Sequence, residues 1–141
     1  MSLDLNVLAE RASAVERHLA RVAQKLPPTP AELIPSSDAS DAVILHLWQA
    51  TQIVLDVALG ACAQLKLGAP AGYADAFSRL SGAQVLGPDL ARRLAAAAGF
   101  RNVVAHAYES IDLARVHQAA VHGPADLRAF LAAVRDLLQK S

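Results

Sequence analysis

Apolar residues recur along most of the chain at intervals of three and four, the period of an amphipathic helix, and prolines and glycines interrupt the pattern. Few segments alternate between apolar and polar residues with period two, so the pattern predicts no sheet. It predicts an all-α fold: an up-and-down bundle of four main helices plus short helices, folded as a single domain over residues 1–141.

Turn and capping signals divide this pattern into helices. "PPTP" stops the first helix, "PSSDASDA" supplies N-caps for the second, and "LGAPAG" ends it. "GPDL" opens the fourth, with Pro88 in the first turn, where proline is tolerated. The six segments predicted to be helical cover residues 3–26, 39–66, 73–81, a stretch from Pro88 onwards, 110–120 and 123–140.

The most apolar span, residues 42–65, is long enough to cross a membrane as a helix. Polar side chains interrupt it, and one mid-helix aspartate such as Asp56 costs roughly 3 kcal/mol on insertion scales. We therefore expect the central helix of a bundle, and no membrane association. The first residues show no basic start followed by an uninterrupted apolar run, so we expect no signal peptide.

The charge balance narrows the classes of partner. Thirteen Lys and Arg residues match thirteen Asp and Glu residues, so no net field attracts nucleic acid or an anionic membrane. Binding of a polyanion would require a local patch, for which Arg92, Arg93 and Arg101 are the candidates. The single cysteine, Cys62, excludes an internal disulfide and is typical of a reducing cytoplasm. The sequence has no clustered set of metal ligands, and we expect no metal and no cofactor.

One face of the second predicted helix is polar. At 100° per residue, Gln49, Gln52 and Asp56 fall within about 60° of one another on a helix otherwise rich in Val, Ile, Leu and Ala. Buried polar atoms without partners cost about 1–3 kcal/mol each, so these groups need partners. Two interpretations remain open: a face turned to solvent, or a polar cavity or dimer axis at which Asp56 pairs with an arginine.

The stretch "GFRNVVAHAYESID" gathers an arginine, a histidine and a tyrosine where the fourth helix ends. On a regular helix, Arg101 continues an apolar line that reaches Tyr108, and a guanidinium there needs an anionic partner, for which Asp56 is a candidate. His106 lies about 140° from Arg101, so the two do not share a face. Either the helix unwinds near Ala105, or loop geometry or a second chain brings the pair together.

The segment "FRNVVAHAY" fits the pattern R-x-x-x-x-H-x-Y, with Arg101, His106 and Tyr108, and with Asn102 directly after the arginine. It resembles the signature of the HEPN superfamily, and specifically that of its HepT-like toxin branch. The similarity extends from "GYADAFSRLSGAQVLGPDL" through the motif to the Ile–Asp pair that follows. Asp56 stands where that family usually has an acid. The resemblance covers about residues 1–138 in order.

This resemblance implies a HEPN-like bundle that forms a homodimer. In it, two Arg–His motifs meet near the two-fold axis as a composite, metal-independent endoribonuclease site. Catalysis would fall to Arg101 and His106: the histidine can transfer protons near neutral pH, and the arginine can hold the phosphate of the RNA substrate. Asn102 and Asp56 would support the site.

The same resemblance implies a toxin–antitoxin pair. HepT-like proteins are typically encoded with a minimal nucleotidyltransferase, an antitoxin that transfers AMP to the motif tyrosine, which is Tyr108 here. The added charge and bulk would oppose RNA docking. A purely structural role for Tyr108, with its ring packing beside Leu94 and Arg101, is compatible with that modification. The competing function is a non-catalytic helical module that binds nucleotide or supports a nucleotidyltransferase.

Overall fold

The computed structural model describes residues 3–140. Within this range the chain forms helices and turns and no strand, which confirms the predicted all-α class. α2 lies at the centre of the bundle, because it packs against each of the other four α-helices. The elements in order are α1 (Leu5–Lys25), a 3₁₀ turn (Pro30–Glu32), α2 (Asp38–Gln64), α3 (Tyr73–Gly82), α4 (Pro88–His106), a second 3₁₀ turn (Tyr108–Ser110) and α5 (Leu113–Gln139).

Local sequence signals determine most of the helix ends. Asp4 caps α1 by accepting a hydrogen bond from the Val7 N–H at 2.8 Å, and Ser37 caps α2 by accepting one from the Ser40 N–H at 3.2 Å. α1 ends just before the prolines of "PPTP", which lack donors and disfavour helical geometry in the preceding residue. Pro88 occupies the first turn of α4. α1 and α2 begin and end within two residues of their predicted bounds.

The core forms where α2 meets its neighbours. Twelve of its residues are buried, among them the free thiol of Cys62, whose pKa is raised by burial. Phe77 of α3 and Phe130 of α5, both fully buried, meet edge to face with ring centroids 5.5 Å apart. These contacts centre the buried core of the bundle on α2, and the candidate site lies on the outer face of that helix.

By length and composition, α2 is the one helix within residues 3–140 that could cross a membrane, with a mean hydropathy of 1.5 in its most apolar stretch. Half of that stretch is buried inside the bundle. The burial matches the expected central helix, because the apolar side chains are covered by other parts of the same chain.

The C-terminal part of the chain differs from the prediction. The sequence predicts two helices separated near Gly123, and this is wrong: one helix runs from Leu113 to Gln139 with Pro124 inside it. Proline lacks an N–H, so one intrahelical hydrogen bond is missing there. The helix continues because it buries apolar residues on both sides of the proline, Val116 before it and Phe130 after it. Tertiary packing therefore outweighs the local break.

Candidate active site at the end of the fourth helix

Arg101 is half-buried where α4 meets α2. Its Nε donates to Gln52 Oε1 at 2.7 Å, and its Nη1 donates to Asn102 Oδ1 at 3.1 Å. The guanidinium carbon lies 6.0 Å from the centroid of the Tyr73 ring, close enough for a cation–π contact. Of the five N–H donors of a guanidinium these bonds use two, and both acceptors are neutral amides. The site therefore holds a positioned cation with donors left for an anion.

Gln52 organises the polar face of α2. Its Nε2 donates to Asp56 Oδ1 at 3.0 Å and to Tyr73 Oη at 3.2 Å, while its Oε1 accepts from Arg101. The predicted pairing of Asp56 with an arginine is thus indirect: within residues 3–140 the amide of Gln52 joins the two, and no direct ion pair forms between them. The polar face forms a wall that orients the Arg101 side chain.

His106 is the last residue of α4 and is exposed. α4 is helical without interruption up to His106, so the helix does not unwind near Ala105. Five residues on a regular helix correspond to about 140° of rotation and about 7.5 Å of rise. Arg101 bonds toward α2, so within one chain the imidazole of His106 projects from a different side of α4.

Tyr108 lies beyond the helix rather than on its apolar line. α4 ends because Ala107 adopts φ −143° and ψ 39°, and Tyr108 opens the following 3₁₀ turn. The predicted placement beside Leu94 and Arg101 is therefore wrong, since it requires the helix to continue. Tyr108 Oη instead donates to Asp41 Oδ1, in the first turn of α2, at 2.6 Å. This bond, with desolvation as the second cause, raises the pKa of Tyr108 to about 12.

A groove of about 420 Å³ extends from Tyr108 along α2 and α4. Trp48 lines it, and within residues 3–140 the buried indole N–H of Trp48 has no hydrogen-bond partner. Asp41 also lines the groove, and the sequence does not single it out, because "SSDASDA" fits an ordinary helix start and nothing local distinguishes one acid from the other. The groove is lined by Asp41, Ile44, Leu45, Trp48, Val104, Ala105 and Tyr108.

The candidate basic patch on α4 is weaker than the sequence predicts. Arg92 pairs with Asp89 one turn earlier, and Arg93 Nε lies 3.0 Å from Asp126 Oδ1 of α5. Both guanidinium groups are partly neutralised, and they precede Arg101 by eight or nine residues, about 12–14 Å of helix. Arg101 is thus the member of the trio whose hydrogen-bond acceptors, Gln52 and Asn102, carry no charge. Residues 3–140 contain no group of three or more His, Cys, Asp or Glu side chains arranged to hold a metal.

Known proteins share this arrangement of helices. The chain is 27% identical over 95 residues to the mRNA nuclease HepT of Shewanella oneidensis, which is 67% of this chain and 71% of that protein. A tri-AMPylated Shewanella oneidensis HEPN toxin, solved in complex with its MNT antitoxin, superposes with a TM-score of 0.82 at 22% identity, over 92% of this chain and 97% of that one. A Bacillus subtilis cytosolic protein of unknown function, YutE, superposes with a TM-score of 0.76 at 14% identity, over 99% and 94% of the two chains.

The chain combines a helical bundle, a central apolar helix and an arginine–histidine motif at the end of α4. The model of the ribonuclease HepT-like family matches residues 11–134, which is most of the chain. The protein belongs to the ribonuclease HepT-like family, and the family predicted from the sequence is confirmed.

Proposed function

We propose that this protein is the toxin of a toxin–antitoxin pair and a metal-independent endoribonuclease whose active site is completed where two chains meet. One observation carries the proposal: Arg101 and His106 occur at the end of an uninterrupted α4, five residues apart, in a chain of the ribonuclease HepT-like family. The two side chains leave α4 on different sides. A two-fold axis beside this helix end would bring the arginine of one chain and the histidine of the other into one site.

The chemistry needs only groups that this chain supplies. The RNA 2′-hydroxyl attacks the adjacent phosphorus, the bond to the 5′-oxygen breaks, and a cyclic phosphate and a 5′-hydroxyl result. His106 takes the proton from the 2′-hydroxyl or returns one to the 5′-oxygen. Arg101 holds the phosphate and stabilises the charge that builds up on its oxygens. Asn102 and, through Gln52, Asp56 keep the guanidinium in place.

The surface next to the site supports the dimer. Leu45 and Leu59 are exposed on the same face of α2 as Gln52, and Val103 is 46% exposed on α4. Large apolar side chains gathered beside a charged site are typical of a surface that another molecule covers. A second copy of this chain, related by two-fold symmetry, would cover them and bring the two Arg–His motifs together.

Alanine substitutions test the nuclease proposal. We expect Arg101→Ala and His106→Ala each to abolish cleavage of RNA in the presence of EDTA, while thermal unfolding stays that of a folded chain. His122→Ala, which removes another exposed histidine, is the matched control and should cleave at the wild-type rate. Cleavage that survives in His106→Ala, or a purified wild-type protein that cleaves no RNA, would contradict the proposal.

The proposed antitoxin is a minimal nucleotidyltransferase, and the proposed modification is AMP on Tyr108. The hydroxyl lies at the mouth of the groove next to the end of α4, so an attached nucleotide places negative charge where RNA phosphate would dock. The pair would act in the cytoplasm. After co-expression with the transferase, intact mass should rise by one or more AMP units in wild type and in Tyr73→Phe, which retains Tyr108, and not in Tyr108→Phe.

A non-catalytic module that binds nucleotide or supports a nucleotidyltransferase is the second candidate. The observation that favours it is electrostatic: the net charge is zero, and Arg92 and Arg93 are each paired with a carboxylate. A protein of this kind would still acquire AMP but would cleave no RNA and would not arrest growth, so the two assays separate the candidates.

A further inference from the structure

The phenol proposed to receive AMP already donates a hydrogen bond to a carboxylate. Tyr108 Oη lies 2.6 Å from Asp41 Oδ1, at the short end of the range for a hydrogen bond from a hydroxyl to a charged oxygen. The two residues are 67 positions apart in the chain, so the contact is a tertiary one, between the side chain of Tyr108 in the second 3₁₀ turn and that of Asp41 in the first turn of α2.

The helix itself does not use this carboxylate. Ser37 provides the cap of α2, by accepting from the Ser40 N–H at 3.2 Å. Asp38 supplies a second acid in the same first turn, so the favourable interaction with the positive helix end does not depend on Asp41. Among residues 3–140, the Asp41 carboxylate accepts one hydrogen bond, and its donor is the hydroxyl of Tyr108.

The surroundings leave Asp41 as the acceptor available to the phenol. The remaining residues that line the groove carry no titratable side chain: Ile44, Leu45, Trp48, Val104 and Ala105. With a pKa of about 12, only about one Tyr108 hydroxyl in 10⁵ is ionised at pH 7. A phenol held in this way becomes a nucleophile when its proton is removed during the attack rather than before it.

We propose that Asp41 is the general base for nucleotidylation of Tyr108, so that the toxin supplies a catalytic residue for its own modification. The inference rests on the proposed function of Tyr108 as the AMP acceptor. Tyr108 Oη attacks the α-phosphorus of ATP, and the bond from that phosphorus to the bridging oxygen of the β-phosphate breaks. Pyrophosphate leaves with the electron pair. The phenolic proton passes to Asp41 Oδ1 and then to solvent.

The substitution Asp41→Asn tests this step, because it keeps the size of the side chain and removes its ability to take a proton. General-base catalysis typically raises a reaction rate by about 10²–10⁴-fold. Loss of the charged acceptor also lowers the pKa of Tyr108, and the larger phenolate fraction offsets part of the lost rate. We expect AMP incorporation, with purified transferase and ATP at pH 7, to slow roughly 10- to 100-fold. Asp38→Asn is the matched control, since it removes an exposed acid from the same helix turn outside the groove.

The pH dependence separates a base from a residue that only holds the tyrosine. The variant must use phenolate that has already ionised before the attack, so the ratio of wild-type to Asp41→Asn rates should fall about tenfold per pH unit from about pH 6 until it approaches one near pH 8–9. Titrating groups of the transferase cancel in this ratio. For Asp38→Asn the ratio should stay near one, and Asp41→Glu should recover part of the rate.

The outcomes distinguish the two proposals. Equal AMP incorporation in wild type and Asp41→Asn would overturn the role of Asp41 and leave Tyr108 as the acceptor. A slower variant whose rate ratio does not change with pH would also overturn the base assignment, because it would indicate positioning alone. A wild-type chain that gains no AMP would overturn the proposed modification itself.

Discussion

Two inactive variants mixed together should recover nuclease activity if the site is shared between chains. The Arg101→Ala chain keeps His106, and the His106→Ala chain keeps Arg101. In a mixed dimer, one of the two symmetry-related sites then has both groups and the other has neither. If a single chain supplied both groups to one site, the mixed dimer would have no complete site at all.

The geometry of α4 and the number of complete sites per dimer together determine how much nuclease activity should return. Arg101 is tied to Gln52 on α2, and His106 leaves the helix about 140° around and about 7.5 Å further along. These directions favour pairing across the proposed two-fold axis. Equal amounts of two variants that reassort freely give about half mixed dimers, each with one of its two sites complete, so about a quarter of wild-type activity should return.

The assay is cleavage of a fluorescent RNA after the two variants are co-refolded or co-expressed with different tags and the doubly tagged dimer is isolated. Purified mixed dimer should cleave at about half the wild-type rate, because it has one complete site of two. A mixture of Arg101→Ala with itself under the second tag is the control. If native mass spectrometry shows the mixed dimer and it is as inactive as either parent, the shared-site reasoning is refuted.

Three further measurements test other contacts. Phenolate absorption, taken as the difference from Tyr108→Phe, should titrate near pH 12 in wild type and toward about pH 10 in Asp41→Asn; an unchanged midpoint would argue against the hydrogen bond. The hydrogen bonds from Arg128 lower the pKa of Glu16, so the pair stabilises the fold above pH 4.5 and this contribution is lost as the pH falls through the lower folded value. Urea unfolding of Glu16→Gln should show a deficit of about 0.2–1 kcal/mol near pH 7, since both side chains are half exposed, and this deficit should shrink as the pH is lowered below 4.5. Phe77→Ala should lower the free energy of unfolding by about 3–5 kcal/mol, and a loss under 1 kcal/mol would contradict its place in the core.

Helical periodicity, caps and prolines predict α1 to α4 from the sequence, because these signals act within a few residues. The single C-terminal helix could not be predicted in the same way. Pro124 is a strong local break, and the opposing contribution comes from residues of α5 that are buried by other helices. A pattern along one segment does not show how much apolar surface the rest of the chain will cover.

The candidate site, too, was predictable from the sequence only in part. The motif identified Arg101, Asn102 and His106, and helical geometry alone showed that the arginine and the histidine leave α4 on different sides. The sequence also identified Tyr108 as the proposed AMP acceptor, but it placed the ring on the wrong surface, since the end of α4 at Ala107 depends on a backbone conformation that no local signal indicated.

Residue types, the spacing of the motif and the family are thus properties of the sequence by itself. Tertiary structure decided the partners: Gln52 between Arg101 and Asp56, and Asp41 beneath the hydroxyl of Tyr108. The physical reason is that a hydrogen bond depends on distances of a few tenths of an ångström between atoms that lie 49 or 67 residues apart in the chain. Only the packing of the helices brings those atoms together.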